Sequence, residues 1–209
     1  MATTSQLLRI KRRFTAKHAF FFALGLAVLF ILYHNERFVF QHDSGTWKYF
    51  YPVRWKLLAH VLGGTTALGV GALQFSARLR QSHPGVHRTL GYLYIGGVLV
   101  GAVMAAYLGL THALFAVENS VQAGLWALTT LMAFLAVRRK NFDIHRQWMM
   151  RSYAITLIFV FTRIVLAIPF LAPVTDSGAE RLLWILTLSA LFVPQIIINW
   201  PQLFTRSVG

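Results

Sequence analysis

The sequence predicts an all-α, polytopic integral membrane protein with six transmembrane helices in a single transmembrane domain, residues 1–209, and with both termini in the cytoplasm. Three observations support this prediction. Apolar residues make up 56% of the 209 residues and charged residues only 12%, whereas a soluble domain averages about 25% charged residues. Six separate stretches approach the length of about 20 apolar residues that a bilayer requires. Basic residues also collect in alternate connections between these stretches.

The six apolar stretches follow one another with short connections. The first, about residues 17–33, is short and follows a basic segment, Arg9 to Arg13. No A-x-A-like cleavage site comes after it, so we interpret it as an uncleaved anchor rather than a signal peptide. The other predicted helices cover about residues 55–75, 90–110, 120–137, 148–170 and 182–200. Residues 34–54 form the one long outer loop, whose aromatic residues indicate an interfacial belt or, alternatively, a lid over an outer site.

The net charge of +14 follows the membrane topology. Lys and Arg precede the first predicted helix and flank the 78–88 and 138–146 connections. The connections between the third and fourth and between the fifth and sixth predicted helices carry Glu118, Asp176 and Glu180, and Arg181 is their only basic residue. This alternation is the positive-inside pattern, and it places the basic connections in the cytoplasm beside anionic lipid head groups. We therefore expect the lipid bilayer, and no nucleic acid, as the partner of these charges.

Polar and small residues recur on one face of three predicted helices. At 100° per residue, the face on the second helix comprises His60, Gly64, Ala67, Gly71, Gln74 and Arg78. The face on the third helix comprises His87, Gly91, Tyr94, Gly101, Ala105 and His112. The face on the fifth helix comprises His145, Met149, Ser152, Thr156 and Arg163. Polar side chains are costly in lipid, so we expect these faces to meet inside the bundle. Small residues favour close helix packing, as in Gly97-x-x-x-Gly101, but a glycine face also leaves room for a flat cofactor.

The histidines on these faces form one pair near each membrane surface. His60 and His112 lie toward the outer ends of their helices, and His87 and His145 lie at the inner ends. Two imidazoles at one depth are a ligand set for b-type haem. Cationic residues that would neutralise the haem propionates accompany both pairs: Arg163 in the outer layer, and Arg88, Arg146 and Arg151 in the inner layer. Because about 37 Å of helix separates His87 from His112, we expect one haem with His60 and His112 as its iron ligands, rather than two haems.

Two classes of function stay open at this point. In the first, the protein is a redox subunit of electron transport that binds b-haem, or a quinone, between the second and fifth helices. In the second, it is a transporter, lipid-binding or assembly subunit without haem, whose inner basic cluster binds phospholipid head groups and whose polar faces only hold its own helices together. Other membrane subunits are then further candidate partners. The chain has no Cys and no His-Glu-x-x-His motif, so a zinc site is not predicted.

Two segments resemble the motifs of a bacterial family of predicted membrane proteins, the domain-of-unknown-function family 2306. In that family an HR-x-x-G-x-x-Y motif begins one helix and an HR-x-W-M-x-R-S-x-A motif begins a later one. The matching positions are His87, Arg88, Gly91, Tyr94, His145, Arg146, Trp148, Met149, Arg151, Ser152 and Ala154, with Arg163 further along the helix and His60 in the preceding one. The resemblance covers roughly residues 55–170. It implies a fold, a bacterial inner membrane location and a set of candidate residues, but no reaction. More loosely, the bundle is similar to b-type cytochromes.

Overall fold

The computed structural model describes residues 16–34, 45–112, 116–168 and 175–204. The chain divides into two compact units, Met1–Arg37 and Phe38–Gly209, where the sequence predicted a single domain. The described part of the first unit is α1 (Ala16–His34). Its apolar stretch, Ala19–Ile31, is shorter than the helices of the second unit that can cross a membrane.

The second unit contains seven further α-helices within the described residues. They are α2 (Gly45–Phe50), followed by a 3-10 turn (Tyr51–Val53), α3 (Arg54–Gln74), α4 (Ala77–Ser82), α5 (Pro84–His112), α6 (Ala116–Arg138), α7 (Phe142–Ala167) and α8 (Asp176–Phe204). Five helical segments, which contain α3, α5, α6, α7 and α8, are long and apolar enough to span a bilayer. The prediction of an all-α, multi-span architecture is therefore confirmed. The sixth span and the orientation of the termini stay predictions.

The helices extend further than the apolar stretches of the sequence. α5 begins six residues before the predicted start at residue 90, with Pro84 at its first position, where the missing N–H is not needed. α7 begins at Phe142, because the Asn141 side chain caps it by accepting a hydrogen bond from the Ile144 N–H at 3.2 Å. α7 ends at Ala167, and residue 170, the predicted end, lies outside the described residues. Hydropathy locates the hydrocarbon core, whereas backbone hydrogen bonds continue the helix beyond it.

Part of the predicted outer loop is also helical. Residues 45–53 form α2 and the 3-10 turn, and residues 35–44 lie outside the described residues. The Arg54 guanidinium lies 4.0 Å from the centroid of the Tyr51 ring and donates to the Tyr51 carbonyl oxygen. An interfacial aromatic segment that is helical satisfies its backbone hydrogen bonds near lipid.

A tight turn joins α6 to α7. The Asn141 N–H bonds the Ala136 carbonyl oxygen at 2.9 Å, and the Lys140 N–H bonds the Val137 carbonyl oxygen at 3.0 Å. Together with the positive φ of 59° at Lys140, these bonds form a Schellman motif, in which a left-handed residue ends the helix. The turn places the start of α7 directly beside the end of α6.

The helices of the second unit pack in sequence order, with α3 against α5, α5 against α6, α6 against α7 and α7 against α8, while α3 also contacts α7. The Tyr153 hydroxyl makes this last contact by donating to the Leu68 carbonyl oxygen at 3.0 Å. Large apolar side chains such as Leu99, Val103 and Phe192 are exposed on the outside. An exposed apolar surface of this kind is expected of helices that face lipid.

Candidate functional site

The contact between α3 and α5 is a seam of glycines. A Cβ atom on Gly63 would lie 2.7 Å from the Gly97 carbonyl oxygen and 2.7 Å from the Gly101 nitrogen. A Cβ atom on Gly71 would lie 2.5 Å from the Tyr153 ring. Neighbouring backbone and aromatic side chains thus occupy the space at these glycines. Close helix packing accounts for this seam, and these positions leave no slot for a flat cofactor.

A cluster of buried hydroxyl groups joins α5, α6 and α7, and we call it the hydroxyl cluster: Tyr94, Thr130, Ser152 and Thr156. The Tyr94 hydroxyl lies 2.7 Å from Ser152 Oγ and 3.2 Å from Thr156 Oγ1. Ser152 Oγ in turn lies 2.7 Å from Thr130 Oγ1. Tyr94 and Ser152 are both 0% exposed. The predicted convergence of polar faces from α5 and α7 is therefore found in the structure.

One arrangement of protons satisfies every donor in this cluster. Thr130 donates to the Trp126 carbonyl oxygen at 2.8 Å, so Ser152 donates to Thr130, and Tyr94 donates to Ser152. On the other side, the Trp126 indole N–H donates to Thr156 Oγ1 at 2.9 Å, and Thr156 donates to the Ser152 carbonyl oxygen at 3.0 Å. Indole nitrogen is a donor only and a carbonyl an acceptor only, which fixes this direction. Such a satisfied polar network in a core specifies one packing of the helices.

His60 lies next to the glycine seam. Its Nδ1 is 2.9 Å from the Gly101 carbonyl oxygen, and the Trp126 ring covers the other side of Gly101, since a Cβ there would lie 2.9 Å from the ring. A carbonyl accepts only, so Nδ1 carries the proton and the lone pair is on Nε2. Ligating histidines are commonly oriented in this way.

The other predicted outer residues do not gather into one described site. α5 ends at His112, whose side chain lies outside the described residues, so the predicted His60–His112 ligand pair stays a prediction. The Arg163 guanidinium lies 5.4 Å from the centroid of the Phe159 ring. Glu118, a buried acid that the sequence reasoning placed only at the helix end, accepts a hydrogen bond from the Trp184 indole at 3.0 Å.

The opposite end of the bundle, where α3 ends and α5 and α7 begin, is rich in arginine, and we call it the Arg-rich end. His87 of α5, His145 of α7 and Arg80 of α4 all lie at this end. His145 Nδ1 lies 2.9 Å from the Ala133 carbonyl oxygen of α6. As at His60, this bond places the lone pair on Nε2. Both histidines of the predicted inner pair therefore lie at this end of the bundle, and their joint role at one site stays a prediction.

The level of this pair follows from the hydroxyl cluster. His87 precedes Tyr94 by seven residues, and His145 precedes Ser152 by seven residues. Seven residues are about two turns, or about 10 Å of rise, on the same face of a helix. Because Tyr94 and Ser152 are in contact and α5 and α7 both start at the Arg-rich end, the two histidines lie opposite each other.

Two buried polar atoms at the Arg-rich end, His87 Nδ1 and Gln74 Nε2, have no hydrogen-bond partner in the part of the chain that the structure describes. Gln74 is the last residue of α3. A Cβ atom on Gly91, one turn after His87, would meet Gln74 Oε1 at an ordinary 3.7 Å. The Gln74 side chain therefore meets α5 at Gly91, one helical turn from His87.

The three arginines predicted for the inner site have different surroundings. Arg88 is exposed. Arg146 is also exposed and forms an ion pair with Asp143 at 3.2 Å. Arg151 is half-buried, donates to the Gln195 side chain of α8 and stacks 5.0 Å from the centroid of the Trp148 ring. Among the residues that the structure describes, no three His, Asp or Glu side chains gather into a metal-binding group.

Fold and site together define a multi-pass α-helical membrane protein whose helices meet at a buried hydroxyl cluster above a histidine pair. The family model described as "Predicted membrane protein (DUF2306)" matches residues 57–201, and the chain belongs to this family. The resemblance that the two HR motifs carry is thereby confirmed, and both motifs lie in the matched range. No curated protein and no solved structure matches the chain. The looser similarity to b-type cytochromes stays a prediction.

Proposed function

We propose that the protein is a redox subunit of a membrane electron-transport system, and that its cofactor, a b-haem or a quinone, binds at the Arg-rich end between His87 and His145. The observation that carries the proposal is the contact of Tyr94 with Ser152. His87 and His145 lie seven residues before these two residues on their helices, which places both imidazoles at about one level of the bundle. The sequence alone favoured the outer layer, and we prefer the inner pair because this register and the basic side chains of the Arg-rich end support it.

The residues at the Arg-rich end suit either cofactor. The Ala133 carbonyl oxygen holds His145 Nδ1 and leaves the Nε2 lone pair available. That lone pair suits a haem iron or the O–H group of a quinol, whereas the carbonyl of a quinone needs a donor such as the imidazole of His87. Arg88 and Arg146 lie at the same end of the bundle with exposed side chains, and their guanidinium groups suit the carboxylates of the haem propionates. A bis-histidine haem site needs only two protein ligands, so His87 and His145 alone would be sufficient. The haem would supply one-electron chemistry, while the chain positions the ligands and excludes water.

The topology belongs to the same proposal. Six spans, with α1 as the first, would place both termini and the Arg-rich end in the cytoplasm. Reporter fusions at residue 140 and at each terminus are all expected to report a cytoplasmic location. A periplasmic reporter signal at residue 140 would reverse the proposed orientation.

The experiment uses the full-length chain, purified in mild detergent from cells supplied with haem precursor. We expect either a Soret band that shifts on dithionite reduction or a co-purifying quinone found by solvent extraction. His145→Ala is expected to lower the cofactor content at least tenfold. His83→Ala, an exposed histidine of the same region, is the matched control and should keep it. Absence of both cofactors from the wild-type protein, with none reconstituted, contradicts the proposal.

A second candidate function is an accessory subunit that binds anionic lipid and no cofactor. It is favoured by the exposure of the basic side chains at the Arg-rich end, Arg78, Arg80, Arg88, Arg138, Arg139 and Arg146. In that case phosphatidylglycerol should raise the melting temperature of the wild type more than that of an Arg88→Gln/Arg146→Gln double variant. Equal shifts in the two proteins would count against it.

A further inference from the structure

We propose that the Arg-rich end binds the head group of a quinone, and that Gln74 and His87 together hydrogen-bond one of its carbonyl oxygens. The inference rests on the proposed redox function. It selects the quinone over the haem and gives a role to Gln74, which has no role in the proposed function.

The first argument is the lack of partners for two neighbouring buried atoms. Within the described residues, four buried side-chain nitrogen or oxygen atoms lack a hydrogen-bond partner, and two of them are Gln74 Nε2 and His87 Nδ1. Buried polar groups are nearly always paired, because an unpaired one loses its hydration without compensation. Because Gln74 meets α5 one helical turn from His87, one ligand that pairs with both atoms accounts for their lack of partners.

The second argument is space. The glycines of the seam, Gly63 and Gly101, are covered by atoms that a Cβ would meet at under 3.0 Å. At Gly91 a Cβ would meet Gln74 alone, at 3.7 Å. Gly91 therefore leaves open space beside Gln74 and one turn from His87. The glycines of the seam leave no such space.

The third argument is the chemistry of the two donors. The Gln74 amide nitrogen donates only, and a neutral imidazole donates from Nδ1 in one of its tautomers. Both groups are neutral donors placed between helices, so they suit a neutral acceptor. The guanidinium groups of Arg78 and Arg88 are exposed, and a charged phosphate would be drawn to them instead. A quinone carbonyl is a neutral acceptor on a flat ring that dissolves in the bilayer.

The test is a titration of the full-length protein in phosphatidylcholine nanodiscs with a short-tailed benzoquinone and, separately, a short-tailed naphthoquinone, followed by calorimetry. Gln74→Met keeps the size and shape of the side chain and removes its donor. We expect it to weaken the binding of one of these quinones by three- to tenfold, which corresponds to about one hydrogen bond. Gln81→Met, on an exposed glutamine of α4, should leave the affinity unchanged. Gly91→Leu should abolish binding by filling the opening.

The melting temperature without quinone separates a ligand contact from a structural role. Because Gln74 Nε2 has no hydrogen-bond partner among the described residues, Gln74→Met should leave the melting temperature unchanged or raise it. A fall would mean that the amide has a protein partner, and the inference would be overturned. Equal quinone affinity of the Gln74→Met variant and the wild type would overturn it as well.

The result also distinguishes this inference from the proposed function. A protein that carries haem but binds neither quinone keeps the proposed function and overturns the Gln74 site. A protein that binds neither cofactor overturns both. Loss of phosphatidylglycerol binding in Gln74→Met, with no quinone bound by the wild type, would assign the site to a lipid head group and overturn the inference.

Discussion

The hydroxyl oxygens of Tyr94 and Ser152 lie 2.7 Å apart in the buried centre of the bundle. They join α5 to α7 through two residues that are 58 positions apart in the sequence. The contact sets the register of α5 against α7. Since His87 and His145 each lie seven residues before one of these hydroxyls, the same contact sets the level of the histidine pair. The hydroxyl cluster thereby positions the candidate cofactor site from a distance of about two helical turns.

Tyr94→Phe should destabilise the protein by about 1 kcal/mol. The substitution removes a hydrogen-bond partner of Ser152 Oγ and leaves the ring in place, and hydrogen bonds between membrane helices contribute about 0.6 kcal/mol on average. Unfolding in mixed SDS micelles measures the change. Tyr92→Phe is the matched control, because Tyr92 is 55% exposed on the same helix. A double-mutant cycle with Ser152→Ala that gives no coupling would contradict the register role.

Two adjacent glycines of α3 should respond oppositely to alanine. A Cβ on Gly63 would lie 2.7 Å from backbone atoms of α5, whereas a Cβ on Gly64 would meet nothing within 4 Å. Gly63→Ala must push two backbones apart, at a cost of about 1–3 kcal/mol. Gly64→Ala should be neutral or stabilise by up to about 1 kcal/mol through helix propensity. Melting temperatures of the two variants in one detergent decide this, and equal destabilisation would refute the seam.

Helical phase explains why much of the site could be predicted from sequence. Tyr94, Ser152 and Thr156 were assigned to polar faces because a fixed rotation per residue is a local rule, and the structure brings them together. Phase does not distinguish close neighbours. The prediction placed Gly64 on the packing face, but Gly63 is the residue in contact, because the two differ by one step in rotation.

The register between helices could not be predicted in the same way. Which residue of α6 meets Ser152 depends on the turn at Lys140 and on side-chain packing, neither of which has a periodic signal. Thr130 was therefore missed, although its Oγ1 lies 2.7 Å from Ser152 Oγ. Gln74 was placed on the right face, but its lack of a partner is visible only in three dimensions. Glu118 was assigned to a helix end, and its burial depends on the position of α8.

Lys140→Gly should stabilise the protein by about 0.5–1 kcal/mol. Lys140 has a φ of 59°, a conformation that glycine adopts without the steric cost that a Cβ introduces. The gain is measured as a rise in the unfolding midpoint. Arg138→Gly serves as the control, since Arg138 is the last residue of α6 and glycine there should destabilise the helix. Destabilisation by Lys140→Gly would mean that the Lys140 side chain contributes more than its backbone strain costs.

Trp184→Phe should destabilise the contact of α8 with α6 by about 1–3 kcal/mol. The Trp184 indole donates at 3.0 Å to Glu118 Oε1, and Glu118 is only 9% exposed, so its removal leaves a buried carboxyl oxygen without that donor. The loss in free energy of unfolding should be smaller in a Glu118→Leu background, because no buried acceptor is then left unpaired. Trp200→Phe is a matched control on the same helix, where the ring is 56% exposed, and it should change the free energy of unfolding little. An unchanged cost of Trp184→Phe in the Glu118→Leu background would show that ring packing, rather than the hydrogen bond, holds α8 against α6.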